Sequence, residues 1–185
     1  MAKDDAAPTK PNVLKLKTAA EDRTFNLLMS QKTPSALFKD LDLRVRMRPD
    51  TGKVDQGGGL IWRCQDENNY YICRLNPLET NFRVYKVEQG KRTQLASEKL
   101  EFNAGQWYEI QAVMVGNKIE CYVDGKKYLE VTDDTFKDAG LIGLWTKADA
   151  SSSFDNLEVL PPVKPREEKP AKTDEGGAKK TGKDE

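Results

Sequence analysis

Apolar and polar side chains alternate along the middle of this chain. Between positions 41 and 48, Leu41, Leu43, Val45 and Met47 are separated by one aspartate and three arginines. A period of two places one set of side chains on a buried face and the other on a solvated face, which predicts a half-buried β-strand. The PDTG sequence that follows is typical of a turn that ends a strand.

Further short stretches rich in β-branched and aromatic residues are separated by turn residues. The sequences DENN at 66–69 and EQGK at 88–91 predict hairpin turns, and DG at 124–125 is a strong hairpin signal. We predict about ten strands in total and find no helical period of useful length. The strands with defined bounds are predicted at 41–48, 59–65, 70–75, 82–87, 107–115, 118–123, 127–131, 141–146 and 154–159.

Many short strands with few helices favour an all-β sandwich or barrel. Internal repeats are absent from the sequence, which argues against a propeller or a solenoid. Every Trp, Tyr and Phe lies within residues 12–160, so we predict one domain there. The flanking segments 1–11 and 161–185 are rich in proline and charge and poor in large apolar residues, and we expect both to be disordered.

Charge and hydropathy exclude some classes of partner. The chain has 30 basic and 30 acidic residues, so no net field favours nucleic acid. No apolar run approaches the roughly 18 residues of a membrane span, and the N-terminus lacks the apolar stretch of a secretory signal. Either the protein stays inside the cell, or an export signal has been removed.

The sequence contains no histidine. This excludes Ser-His-Asp and Cys-His nucleophile systems, and any histidine-ligated zinc or iron site. Acid–base chemistry would have to use carboxylates, Lys, Tyr or Cys. The three cysteines match no metal-binding or redox spacing, and their simplest interpretation is three buried thiols.

The hairpin turn within 66–69 decides whether two of these cysteines can pair. If Asn68 and Asn69 form a two-residue turn, Cys64 lies directly opposite Cys73, at a Cα separation close to disulfide range. A four-residue turn would place Cys64 opposite Tyr71 and separate the thiols. Both registers are open from the sequence, and a bridge would indicate an oxidising compartment.

Several motifs together resemble the concanavalin A-like lectin/glucanase superfamily. Within it, the chain is most similar to a bacterial laminin-G-like branch near the 3-keto-disaccharide hydrolase domain family, a domain of unknown function. The resemblance covers nearly all of residues 12–160 and implies an antiparallel jelly-roll β-sandwich of two curved sheets. Its motifs are GGGLIWR at 57–63, GQWY at 105–108, YVDGK at 122–126, GLIGLWTKAD at 140–149 and FDNL at 154–157.

Glucanases of this superfamily carry Glu-x-Asp-x-x-Glu on one strand, because retaining hydrolysis needs two carboxylates about 5–5.5 Å apart. That pattern is absent, and the nearest sequence, Asp40-Leu41-Asp42, lacks the later carboxylate. We therefore do not expect this glucanase chemistry. Activity on a keto-disaccharide, implied only by the neighbouring family, stays an alternative for which the residues name no base.

Strand alternation predicts which polar side chains lie on the outward, concave face where lectins of this superfamily hold glycans. Aromatic rings stack there on sugar faces, and Arg or Asn groups supply directional hydrogen bonds. The predicted sugar-binding residues are Arg63, Arg74, Asn76, Tyr85, Trp145 and Lys147.

A structural calcium is a further possibility, since sandwiches of this superfamily often carry one. Asp149, Asp155 and Asn156 supply oxygen ligands near the last strand, although their spacing is not that of an EF-hand loop. No other cofactor is expected.

Three functions follow from these observations. The leading hypothesis is a monomeric, extracytoplasmic, non-catalytic module that binds a polysaccharide or glycoconjugate, with no nucleic-acid partner and no membrane insertion. The second is an enzyme acting on keto-disaccharides. The third is a structural or protein-interaction sandwich without a small ligand.

Overall fold

The computed structural model of the chain describes residues 1–16, 24–31 and 33–162. It is an all-β sandwich of two antiparallel sheets, as the sequence predicts. The first sheet has seven strands in the order β1-β2-β13-β4-β9-β10-β11, and the second has six in the order β3-β12-β5-β6-β7-β8. A single turn of 3-10 helix, Pro34–Ala36, precedes β4.

The strands are numbered in the order in which they occur along the chain. The first sheet contains β1 (Ala2–Lys3), β2 (Asn12–Leu16), β4 (Leu41–Thr51), β9 (Tyr108–Val115), β10 (Lys118–Val123), β11 (Lys126–Thr132) and β13 (Ser151–Leu160). The second sheet contains β3 (Phe25–Met29), β5 (Gly58–Asp66), β6 (Asn69–Asn76), β7 (Asn81–Glu88), β8 (Lys91–Lys99) and β12 (Leu141–Lys147).

The main core lies between the two sheets and is built by the predicted alternation. The four apolar residues of β4 are all fully buried there. Trp62 of β5 stacks on Tyr71 of β6 with ring centroids 5.7 Å apart, and its indole N–H donates to Met114 Sδ on the opposite sheet. Apolar burial on this scale is the main source of stability in such a sandwich.

The N-terminal segment is ordered, although its composition is typical of a disordered segment. The prediction that residues 1–11 are disordered is wrong, because β1 pairs with β2, Asp4 forms an ion pair with Arg48, and Thr9 donates to Asp155. The segment buries little apolar surface of its own, but it completes the edge of an existing sheet. The tail predicted at 161–185 lies outside the described residues, except for its first two positions.

The β5–β6 hairpin has neither of the registers considered for the cysteines. Asp66 pairs with Asn69 around a two-residue turn, but a bulge between Trp62 and Asp66 shifts the ladder, so Cys73 faces Leu60. Cys64 packs on the outward face of the second sheet, and Cys73 packs in the core between the sheets. The Cys64–Cys73 bridge that the first of these registers would allow does not form, and all three cysteines are free.

No helix in the described ranges is long and apolar enough to span a membrane.

Candidate functional site

The outward face of the second sheet is strongly curved, and we call it the concave face. Its edge strands are β3 and β8, which a flat sheet of six strands would hold about 24 Å apart. The guanidinium carbon of Arg92 on β8 nevertheless lies 5.3 Å from the ring centroid of Phe25 on β3. The sheet must curl for these two side chains to meet above its floor.

One row of residues crosses this face from strand to strand. Trp145 pairs with Gly59, Gly59 with Arg74, and Arg74 with Arg83. Gly59 leaves bare backbone between the indole and the guanidinium. A Cβ atom at this position would lie 1.8 Å from the carbonyl oxygen of Cys73, so only glycine is accommodated here.

The row divides the concave face into an apolar half and a polar end. The apolar half surrounds Trp145, which is 1% exposed. Phe25 lies 5.5 Å from its ring, and the guanidinium of Arg92 lies 5.8 Å from it. The indole of Trp145 faces away from the main core, as predicted, but it is covered by these two side chains. The other members of the apolar half are Leu27, Met29, Ile61, Cys64, Tyr70, Ile72, Val87 and Leu141.

Arg74 is the centre of the polar end and is 1% exposed. Its Nη1 donates to Asn81 Oδ1 at 3.1 Å, and its Nη2 donates to Glu79 Oε2 at 2.9 Å and to the Tyr85 hydroxyl at 3.1 Å. Arg83 Nη1 donates to the same Glu79 oxygen at 2.9 Å. Two cations thus share one carboxylate, which locks the geometry of this group.

Asp55, which is 3% exposed, extends this cluster towards β12. Its Oδ1 accepts a hydrogen bond from Asn76 Nδ2 at 2.9 Å, and Lys147 Nζ lies 3.5 Å from its Oδ2. The backbone N–H of Glu79 donates to Asn76 Oδ1 and joins the two parts. Asp55 itself is held in place by Asp149, whose carboxylate accepts the backbone N–H groups of residues 53–55.

The two carboxyl groups of the polar end are shifted in opposite directions. Burial raises the pKa of Asp55, against the opposing charges of Arg74 and Lys147. Burial would also raise the pKa of Glu79, but the charge and hydrogen bonds of Arg74, with Asn81 and Arg83, outweigh it and hold that pKa below its ordinary value. Glu79 is therefore a firmly ionised acceptor, whereas Asp55 takes up a proton more readily.

Five of the six predicted sugar-binding residues lie on the concave face: Arg74, Asn76, Tyr85, Trp145 and Lys147. Arg63 does not join them. It sits at the bulge with φ of 46°, and its guanidinium donates to the backbone oxygens of Lys39, Gly116 and Phe136. This side chain connects loops at one end of the sandwich, apart from the candidate site.

The predicted calcium ligands Asp149 and Asp155 have different hydrogen-bond partners. Asp149 binds the backbone of 53–55, whereas Asp155 accepts hydrogen bonds from Thr9 and from the backbone N–H of Asn156. In the described part of the chain, no group of three or more acidic or cysteine side chains is arranged to hold a metal ion. Calcium binding stays an untested prediction, and a thermal-unfolding comparison with calcium and with a chelator would test it.

Five residues of the site were missed from the sequence: Asp55, Glu79, Asn81, Arg83 and Arg92. The first two lie in loops, where strand alternation says nothing about direction. A signal existed for Asp55, since it stands two residues before the three consecutive glycines that bring the strands close together. Arg92 lies on β8, a mostly polar edge strand that the alternation did not reveal.

The two sheets and the curved outward face define the chain as an antiparallel β-sandwich of the jelly-roll kind. More narrowly, the chain belongs to the family of the 3-keto-alpha-glucoside-1,2-lyase-like domain, whose model matches residues 13–160. A comparison with curated protein sequences gave no match.

Solved structures share the fold at low sequence identity. The carbohydrate-binding module CBM66 from Bacillus subtilis is 21% identical, with a TM-score of 0.68 over 80% of this chain and 91% of that one. Sheep galectin-11, solved with glycerol, is 9% identical, with a TM-score of 0.51 over 75% of this chain and 97% of that one. The GH43 protein BlXynB from Bacillus licheniformis is 17% identical, with a TM-score of 0.54, and the similarity spans 78% of this chain but only 32% of that protein.

Proposed function

We propose that this domain is a non-catalytic carbohydrate-binding module that holds a sugar over the polar end of the concave face. The observation that carries the proposal is the convergence of buried polar side chains there, around Arg74. Sugars are recognised by hydrogen-bonding groups held in fixed directions beside apolar surface. Arg74, Asn76 and Asn81 are nearly fully buried and already hydrogen-bonded, so they are ordered before any ligand arrives.

The polar end has a floor and a rim. The floor residues Arg74 and Asn76 are enclosed, whereas Glu79, Arg83 and Lys147 retain exposed surface, with side-chain exposures of 42%, 29% and 19%. The rim groups would contact sugar hydroxyls, and the floor groups would fix the rim. The similarity to a carbohydrate-binding module supports the same proposal.

A non-catalytic role is supported by the state of the two carboxylates. Both oxygens of Asp55 are engaged, one by Asn76 and one by Lys147. Glu79 accepts from Arg74, Asn81 and Arg83. A catalytic base needs a free lone pair and an affinity for the substrate proton. Both oxygens of Asp55 have partners, and the lowered pKa of Glu79, whose three hydrogen bonds all reach Oε2, makes it a weaker base.

A glycan-array screen of the full chain, followed by calorimetry on the hits, tests this function. The Arg83→Met variant removes a rim donor and should weaken binding at least about tenfold, because a hydrogen bond to a charged group contributes roughly 1.5–3 kcal/mol. Arg46→Met is the matched control, since Arg46 is a partly exposed arginine paired with Glu109 on the other sheet. A folded protein that binds no glycan, or equal weakening by both variants, would refute the site.

A second candidate function is supported by the opposite pKa shifts of Asp55 and Glu79. A 1,2-lyase acting on a 3-keto glucoside removes the proton at C2, which the neighbouring ketone acidifies. The C1–O bond then breaks, and the departing oxygen takes up a proton. Two carboxyl groups with separated pKa values suit a base and an acid in such an elimination.

Incubation with 4-nitrophenyl 3-keto-α-glucoside distinguishes the two functions. Release of nitrophenol by the wild type that is abolished in Asp55→Asn would establish the lyase and overturn the non-catalytic proposal. Binding of glycans without turnover of this substrate would favour the module. The Asp124→Asn variant, at a hairpin turn of the first sheet, controls for loss of an unrelated carboxylate.

A further inference from the structure

The charges on the concave face are unbalanced at its polar end. The strands supply the guanidinium groups of Arg74, Arg83 and Arg92, whereas Asp55 and Glu79 come from loops at the strand ends. Among the residues that the structure describes, three guanidinium groups therefore face two carboxylates here. The whole chain is neutral by formal charge, so the excess is a local property of the site.

Arg92 has an unusual environment for a cation. Its guanidinium carbon lies 4.6 Å from the ring centroid of Tyr85 and also within 6 Å of the rings of Phe25 and Trp145. No carboxylate of the described chain forms an ion pair with it, and its Nη1 is buried without a hydrogen-bond partner there. Stacking on rings uses the faces of a guanidinium and leaves the N–H groups at its edge available.

A second orphan donor also lies near Tyr85. Arg74 Nε is buried without a hydrogen-bond partner among the described residues, and the Arg74 guanidinium lies 5.7 Å from the same Tyr85 ring. Two guanidinium groups thus flank one tyrosine, and each retains a buried donor. A buried N–H without an acceptor is costly, so this site favours a ligand that brings acceptors, and a carboxylate brings the strongest ones.

We propose that the glycan recognised here is acidic, and that the carboxylate of a uronic acid residue binds Arg92. This inference rests on the proposed sugar-binding function and names its ligand class. The rings of Tyr85 and Trp145 position Arg92, and Arg83 adds to the positive potential around the ligand. A neutral sugar of the same shape offers only uncharged acceptors, which form weaker hydrogen bonds to a guanidinium than a carboxylate does.

The test uses matched ligands that differ only in the carboxyl group. Calorimetry compares oligogalacturonate and oligoglucuronate with the same oligosaccharides after reduction of their carboxyl groups to hydroxymethyl groups. We expect at least about tenfold tighter binding of the acidic form, because the pair is charge-assisted. The preference should shrink as salt rises from about 0.05 to 0.5 M, since exposed charges are screened.

Arg92→Gln and Arg92→Lys assign the preference to this residue. Arg92→Gln should remove most of the preference for the acidic form, and Arg92→Lys, which keeps the charge but not the planar fork, should retain part of it. Arg46→Gln is the control for loss of a positive charge elsewhere. Circular dichroism and thermal unfolding confirm that each variant is folded.

The outcomes separate this inference from the function on which it rests. Equal affinity for acidic and reduced oligosaccharides, with no effect of Arg92→Gln, would overturn the acidic ligand and leave sugar binding standing. Binding of only reduced or other neutral glycans would likewise overturn the acidic ligand and leave sugar binding standing. Absence of binding to both forms and to the glycan array would refute both proposals.

Discussion

Replacing Trp145 with alanine should destabilise the fold, in addition to any effect on a ligand. Although this residue faces away from the main core, it is 1% exposed and packs under Phe25 and Arg92. Removal of a buried Trp typically costs about 3–5 kcal/mol, from lost burial and the cavity left behind. Phe25 lies on an edge strand and can move inward to fill part of the space, so we expect the lower half of this range.

This loss is large relative to the stability of the domain. For a chain of this size, each kcal/mol corresponds to a change of about 2–4 °C in Tm, so Trp145→Ala should lower Tm by roughly 6–16 °C. Differential scanning calorimetry and urea denaturation measure the change. Trp145→Phe, which keeps an aromatic ring in the cluster, should lose less than half as much.

Trp107→Ala is the matched control, because Trp107 is a half-buried Trp that packs on Arg48 at the first sheet. It should cost less than Trp145→Ala. If Trp145→Ala keeps its Tm within about 2 °C of the wild type, the packing argument is refuted. Trp145 would then be an accessible stacking surface, and a loss of glycan binding in this variant would count as direct evidence for contact with the sugar.

Three other predictions follow from contacts described above. Arg63→Met should lower the free energy of unfolding by about 2–4 kcal/mol in urea denaturation, because several buried acceptors lose a charged donor, and a loss below 1 kcal/mol would contradict this. Asp149→Ala should speed hydrogen exchange at the amides of 53–55, and unchanged protection would show that another group holds this loop. Burial opposes ionisation of Glu120, but hydrogen bonds from Lys118 and other neighbours lower its pKa to about 2. Its contribution to stability is thus complete above its ordinary pKa of 4.5 and is lost as pH falls towards 2, so Glu120→Gln should flatten the acid limb of the stability curve, and an unchanged limb would exclude Glu120 as its source.

The central strands of the first sheet were predictable because they are half-buried. Where one face of a strand contacts the core and the other does not, apolar and polar residues alternate in the sequence, as in β4 and β10. The strands missed from the sequence are β1, β2, β3 and β8, all of which lie at or beside a sheet edge. Edge strands bury less of either face, so they contain more polar residues and lack a clear alternation, as in β8.

The candidate site was predictable only where the ladder is regular. Arg63 and Arg74 lie on adjacent strands, and simple alternation placed both on the concave face. The bulge between Trp62 and Asp66 changes the direction of the residues that follow, and Arg63 turns towards the loops instead. The β6–β7 ladder has no such irregularity, and Arg74, Asn76 and Tyr85 lie where alternation predicts them. The loop residues Asp55 and Glu79 could not be placed, because a loop has no fixed period.

The contrast between the two halves of the concave face is the strongest argument that its polar end has a function. In one half, Ile61, Ile72 and Trp145 cover the sheet with apolar side chains. In the other half the same strands bury Arg74 and Asn76, at the cost of removing a charge and an amide from water. Buried ion pairs are often less stabilising than apolar side chains of similar volume. Apolar residues at these positions would therefore give the fold at least the same stability. A local departure from the packing that stability favours is expected where a protein binds a ligand, and on the concave face this departure is confined to the groups that surround Arg74.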